Sequence, residues 1–291
     1  MLFGQTKIRE SIDILCDAAQ KKNGILPHIL FVGPSGYGKT SFAKYLAAQF
    51  KTQLEQINAA SVRKPRDIEE KLTLLKCGDI FFIDEIHRLS IALQEILYTA
   101  MDEGYITQTM YGIPIGRRNL QKFTLVGATT HTVSAPLRSR FQHTFHFTEY
   151  TQAELEQIIK CESDKIQVNI PTHELVQYVR GNPREAINKV HWLKDYSTSK
   201  KLTITPDVLT KSMAQLGIHK YGLNGTDLAY LRYLSAQSLP VGIKTISGAI
   251  NIPTQTLEDS VEPYLCKLQL IFKTGQGRIA NLERLRDEKI I

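Results

Sequence analysis

A parallel α/β sheet domain, followed by a small helical domain and a compact C-terminal module, is the architecture this sequence predicts. Three observations predict it. Residues 1–150 alternate short apolar runs with helically spaced segments, the signature of strands joined by crossover helices. Residues 151–221 carry helix-start signals and no strand-like run. A polar, glycine-punctuated stretch, Gly217 to Gly225, then separates off residues 222–291. Ile29-Leu30-Phe31-Val32 is apolar throughout and reads as a buried strand, while Ser41 to Ala48 has helical spacing and good helix formers. Asp79 to Ile83, Phe123 to Ala128 and Thr144 to Phe147 are further strand-like runs. Thr151-Gln152-Ala153-Glu154 is a capping box opening a helix, and Pro171 to Leu175 begins another. Ser197-Thr198-Ser199-Lys200-Lys201 reads as a loop. Beyond Gly225 the pattern is helix, short strand, helix, helix, then a two-stranded turn around Thr274-Gly275-Gln276-Gly277.

The 291 residues are enough to bury a sizeable core in two or three domains. No apolar run reaches the length of a membrane span, and no signal-peptide core is evident at the N-terminus. The four cysteines are widely separated and form no metal-type pair. They fit a reducing compartment, so a cytoplasmic protein is expected. The net charge of +7 is spread along the chain without a basic tail. It permits a nucleic-acid partner without requiring one.

The sharpest signal is Gly33-Pro34-Ser35-Gly36-Tyr37-Gly38-Lys39-Thr40, which fits GxxxxGK[ST] between a strand and a helix. Glycines there let the backbone curl until successive amides face phosphate oxygens, and the following helix adds the positive end of its dipole. Lys39 would reach the β- and γ-phosphates of a nucleoside triphosphate. Thr40, followed by Ser41, would hold Mg²⁺. Asp79-Ile80-Phe81-Phe82-Ile83-Asp84-Glu85 is a second buried strand, ending in two acids. In an open parallel sheet, ligands gather beyond the carboxyl ends of the strands. This strand is expected to end beside the one feeding the phosphate loop, with Asp84 orienting Mg²⁺ and Glu85 polarising the attacking water. Thr129 and Thr130 end a third strand, where hydroxyls can meet the γ-phosphate or the water. Arg140, in Ala135-Pro136-Leu137-Arg138-Ser139-Arg140-Phe141, is either a surface charge or a group that stabilises transition-state charge on a neighbouring subunit's nucleotide. Gly181-Asn182-Pro183-Arg184 opens a helix with Pro183 at its start. A cation there is mildly unfavourable unless an anion is near, which favours phosphate contact by Arg184. His87 and His131 belong to no metal-ligand cluster and are expected to make structural hydrogen bonds.

Together, GPSGYGKT, FFIDEIHRLS, FTLVGATT, APLRSRF and GNPREAIN resemble AAA+ ATPases, and within them the RuvB family, motors of Holliday-junction branch migration. The likeness continues through Pro240-Val241-Gly242, Glu262-Pro263-Tyr264-Leu265 and Thr274-Gly275-Gln276-Gly277-Arg278, which resemble that family's winged helix. It runs from about Phe3 to about Asn281. The resemblance implies an AAA+ P-loop core (1–150), a helical lid (151–221) and a winged-helix DNA-binding domain (222–291). By it, ATP and Mg²⁺ are the cofactors, with Leu2, Phe3 and Gly4 near the adenine. Thr129 and Thr130 fall at the first sensor position, Arg184 at the second, and Arg140 is a finger acting in trans.

The resemblance further implies a ring oligomer, hexameric in the family, working on duplex DNA and four-way junctions. The hairpin-like segment Tyr105 to Gly116 would dock a RuvA-type partner. Lys273 and Arg278 flank the wing turn, where residue chemistry alone allows either phosphate contact or solvated charge. Family members carry a further N-terminal arm before the position of Leu2 and a second wing arginine where this chain has Gln276. An ATP-switched scaffold that assembles on DNA without processive movement is the rival reading.

Overall fold

The structure, a computed structural model, describes residues 2–22, 24–110 and 113–290. The chain divides into two compact units, residues 1–158 with 181–185, and residues 159–180 with 186–291.

The first unit runs α1 (Thr6–Lys21), β1 (Ile29–Val32), α2 (Lys39–Phe50), β2 (Leu54–Asn58), α3 (Pro65–Leu74), β3 (Ile80–Asp84), α4 (Ile91–Asp102), β4 (Tyr105–Met110), β5 (Ile113–Asn119), β6 (Thr124–Thr129), α5 (Ala135–Arg138) and β7 (His143–His146). Five parallel strands form its sheet in the order β2-β3-β6-β1-β7. Strands buried on both faces carry near-continuous apolar runs, and β3 and β6 do so here. Alternate side chains of β1 serve opposite faces. Leu30 joins Phe81, Ile83 and Leu125 in a core that includes Leu72, Leu93 and Leu97 from the helices. Phe31 instead meets Phe147, whose ring centroid is 5.1 Å from that of Phe42 on α2.

One expectation is corrected. The strand ending in Asp84 does not lie beside the strand feeding the phosphate loop, because β6 pairs with both and separates them. The order of strands is set by the crossover connections, which a local apolar pattern does not encode. The consequence is that Thr129 and Thr130, at the tip of β6, stand between the loop and Glu85.

β4 and β5 form a separate antiparallel hairpin from Tyr105↔Asn119 onward, with a register shift between Gln108 and Thr109. The Arg117 guanidinium lies 4.4 Å from the Tyr105 ring centre. Tyr111 and Gly112, within the segment expected to dock a partner, lie outside the described residues.

α6 (Gln152–Lys165) and α8 (Pro183–Lys200) each begin in the first unit and continue into the second. The capping box of α6 is formed, with Thr151 Oγ1 accepting the Glu154 amide and Glu154 Oε2 accepting the Thr151 amide. α7 (Thr172–Val176) and α9 (Pro206–Gln215) complete the helical part. The loop expected at Ser197 to Lys201 is instead, as far as Lys200, the last turn of α8. Ser197 and Thr198 donate their hydroxyls to the Lys194 carbonyl, each at 2.8 Å, so they bond within the helix rather than breaking it. Lys201, with φ near +52°, ends it.

The C-terminal part contains α10 (Gly225–Ser235), α11 (Ile243–Ile250), α12 (Thr254–Thr256), a π-turn at Leu257–Val261, α13 (Glu262–Lys267), β8 (Ile271–Thr274), β9 (Gly277–Ala280) and α14 (Leu282–Asp287). β8 and β9 pair antiparallel, and Val241 bridges to Arg278 as the short third strand. Leu231, Ile246, Leu257, Leu265 and Ile271 are among the residues of its own core. This is a winged helix. Among the described residues, no helix is long and apolar enough to cross a membrane.

Candidate nucleotide site and wing

The phosphate loop has the shape its sequence requires. Gly36 and Gly38 take φ of +85° and +91°, where a Cβ is strained. A Cβ on Gly36 would also stand 2.5 Å from Asn182 Oδ1 and 2.9 Å from Arg184 Cβ. The loop is therefore closed against the start of α8. Asn182 donates to the Ser35 carbonyl at 3.1 Å, and Arg184 Nη1 lies 3.0 Å from Ser35 Oγ. Pro183 is the first residue of that helix. Arg184 thus stands at the loop that its sequence context predicts, and Asn182 is a loop partner that sequence reasoning did not single out.

Lys39 is buried and folds back to donate to the Gly33 and Pro34 carbonyls at 2.6 and 3.0 Å. Burial lowers its pKa, with Glu85 and Asp84 opposing the shift and Arg184 adding to it. Thr40 follows in the first turn of α2. At the tip of β3, Asp84 Oδ1 accepts the amide of Glu85 at 3.0 Å. Glu85 itself sits at φ of +53°, an uncommon conformation for a residue with a Cβ.

The strand-tip threonines divide their tasks. Thr130 Oγ1 donates to Glu85 Oε2 at 3.2 Å. Thr129, fully buried, donates to the His131 carbonyl at 2.7 Å and accepts the His131 amide at 3.1 Å. Its proton is therefore used, so His87 Nδ1, 3.0 Å away, is the donor between them. That nitrogen also lies 3.4 Å from Glu85 Oε2. The His87 and His131 rings are 4.6 Å apart. His87, expected to make structural hydrogen bonds, makes one to Thr129, and it also borders the carboxylate expected to handle water. The only local signal was its place two residues after Glu85.

The N-terminal segment reaches the loop through Tyr150. Gly4 packs so closely on the Tyr150 ring that a Cβ would come within 2.4 Å of it. The Tyr150 hydroxyl donates to the Tyr37 carbonyl at 3.1 Å. Leu2 and Phe3 are half-buried beside this anchor, and Arg9 donates to the Leu2 carbonyl at 3.3 Å.

Arg140 stands apart from this group. It donates to Asp102 Oδ2 at 2.8 Å and to the Pro136 carbonyl at 2.6 Å, and its guanidinium lies 4.1 Å from the Tyr98 ring centre. In the winged helix, the two wing cations converge on Glu262, a fully buried carboxylate. Arg278 donates to it at 2.8 and 3.2 Å, Lys273 lies at 2.6 Å and Tyr230 donates at 2.7 Å. Burial pushes the Glu262 carboxyl up, but these donors outweigh it and hold its pKa below the usual range. Arg278 is tied down from within, with a side chain only 19% exposed, whereas Lys273 is 46% exposed. Removing one partner of a buried ion pair strands the others. Glu262→Ala is expected to destabilise the module by about 3 kcal/mol, read as a lower denaturant midpoint by circular dichroism. An unchanged midpoint contradicts it.

Two histidines make the first unit sensitive to acid. His28 Nδ1 accepts the Leu125 amide at 2.8 Å, which imidazolium cannot do. Burial is the main cause lowering the pKa of both His28 and His87 below the ordinary 6.5. Between that value and their lower folded values, the unfolded chain binds more protons, so folding stability falls as pH drops below 6.5. Thermal melting between pH 7.5 and 5.5 is expected to show a falling midpoint. A midpoint that holds or rises refutes this.

A phosphate loop at the end of an interior parallel strand, acids at the tip of the strand two places along and an arginine at the start of α8 define a nucleotide-binding protein of the AAA+ P-loop class. Comparison with known proteins narrows the class. Residues 1–147 match the profile described as Holliday junction DNA helicase RuvB P-loop domain, and residues 220–283 match the RuvB C-terminal winged helix domain. The chain is 38% identical over 291 residues to the Holliday junction branch migration complex subunit RuvB of Rhodopirellula baltica, covering 96% of this chain and 79% of that protein. It is 36% identical to the same-named protein of Ehrlichia ruminantium, covering 95% and 86%. The solved Thermotoga maritima RuvB Holliday junction branch migration motor is 32% identical, with a TM-score of 0.78 over 99% of this chain and 95% of that one. The chain belongs to the RuvB family.

Proposed function

We propose that this chain is an ATP-driven motor that moves Holliday junctions, working as a ring in the cytoplasm. The observation that carries the reading is the arrangement around Glu85, a strained carboxylate held by Thr130 and His87 in the electrostatic field of Lys39. A protein that only bound nucleotide would not need a carboxylate positioned there.

In this mechanism the curled amides of residues 33–41 receive the triphosphate, and Lys39 leaves the Gly33 and Pro34 carbonyls for phosphate oxygens. Leu2, Phe3 and Gly4 border the adenine. The Thr40 hydroxyl and the Asp84 carboxylate would hold magnesium, which would supply charge neutralisation on the β- and γ-phosphates. Glu85 takes the proton of the attacking water, and Thr129, Thr130 and His87 fix its orientation. Arg184 answers charge from the lid side, while Arg140 serves the site of the next subunit. Movement of the lid (151–221) carries the cycle to the winged helix (222–291). There Lys273 meets the DNA backbone, while Arg278, held by Glu262, shapes the wing and contacts phosphate at its edge. The β4–β5 hairpin docks a RuvA-type partner, and the ring is a hexamer.

A synthetic mobile four-way junction tests the reading, incubated with purified protein, ATP, magnesium and a RuvA-type partner. Strand products that depend on ATP are expected. Hydrolysis without junction movement would favour the rival reading, an ATP-switched scaffold on DNA.

A further inference from the structure

Beyond the tip of β6 lies a cavity of about 350 Å³, on the face of the sheet away from α2. Leu30 and Val32 of β1 form its floor, and its walls come from the loop after β6, from α5 and from β7. None of the phosphate-loop residues lines it.

The chemistry of those walls is one-sided. Arg138, His131, His146, Thr132 and Thr144 line the cavity, and among the described residues no Asp or Glu does. Among the described residues, the Arg138 side chain forms no ion pair. An arginine facing a cavity with threonine hydroxyls and imidazoles, and no acid to balance it, suits a protonated oxyanion such as hydrogen phosphate. The apolar floor lowers the local dielectric and strengthens any such contact. We propose that this cavity is a second anion site, separate from the phosphate loop, that takes inorganic phosphate.

The site is wired to Glu85. The Thr130 hydroxyl proton is used on Glu85 Oε2, so its 2.8 Å contact with His131 is a bond donated by His131 Nδ1. With Nδ1 carrying that proton, Nε2 of the neutral His131 ring is an acceptor left for the cavity, where it can take the P–OH of hydrogen phosphate. An anion that pulls on His131 therefore pulls, through one hydroxyl, on the carboxylate proposed to activate water. If turnover proceeds as proposed above, phosphate formed beside Glu85 is one side chain from this cavity. That link rests on the turnover reading, whereas binding of phosphate does not.

The test is a titration of inorganic phosphate into nucleotide-free, full-length Lys39→Ala protein, followed by ³¹P line broadening. Lys39→Ala weakens the loop site by removing its lysine, and the cavity substitutions then separate binding in the cavity from any left at the loop amides and Arg184. We expect saturable binding that Arg138→Gln and His146→Ala each weaken by about tenfold, the loss of one charge-assisted hydrogen bond. Thr144→Val, milder and on β7, is expected to weaken it a few-fold should either of those variants fail to fold. Binding that vanishes with Lys39→Ala alone, or that ignores all of the cavity substitutions, overturns the proposal. No step of the titration needs ATP hydrolysis, so failure of the motor reading leaves its outcome interpretable.

Discussion

Glu85→Gln protein is expected to keep its grip on ATP while losing about 10²–10⁴-fold in phosphate release. The change is nearly isosteric and leaves an oxygen to accept the Thr130 hydroxyl, so the strand tip is disturbed little. What disappears is the ability to take a proton from water. Lys39, Arg184 and the loop amides, which are proposed to hold the phosphates, remain. Radiolabelled phosphate release beside fluorescent-nucleotide titration separates the two effects. Parallel loss of binding and turnover would show that Glu85 supports the loop rather than the chemistry.

Arg140→Ala is expected to lower turnover by about 10³-fold or more, again with nucleotide binding retained. Within its own subunit Arg140 is engaged by Asp102, the Pro136 carbonyl and the Tyr98 ring. Those contacts hold a guanidinium in place without bringing it to its own phosphate loop, as a group serving another subunit requires. Mixing gives the sharper readout. A ring containing Arg140→Ala and Glu85→Gln subunits has some interfaces where an intact Glu85 faces an intact Arg140. Mixtures of the two inactive proteins should therefore recover part of the wild-type rate. Absence of recovery in rings shown to contain both subunits would remove Arg140 from the neighbour's site.

Much of this site was legible in the chain because its chemistry is local. Gly33 to Thr40 needs a strand before it and a helix after it, and both were visible from adjacent residues. What stayed hidden depends on residues brought together over long separations. The strand between Lys39 and Glu85 could not be named because sheet order is fixed by crossovers. Asn182 meets Ser35 across 147 positions, and His87 meets Thr129 across 42. Ser197 and Thr198 read as loop formers, yet they bond backward onto Lys194 and extend the helix. Arg278 read as a wing cation, either on phosphate or solvated, and the pattern gave no sign that Glu262, 16 residues upstream, holds it. A pattern of residue types records the charge of Arg278 and nothing about whether a buried carboxylate has already answered it.

Steady-state phosphate release by the wild-type chain, with ATP and magnesium and with or without duplex DNA, tests the motor most directly. Measurable turnover that rises on adding DNA is the result expected from a Glu85-centred site coupled to the winged helix. A folded, ATP-binding protein that releases no phosphate under either condition would contradict it.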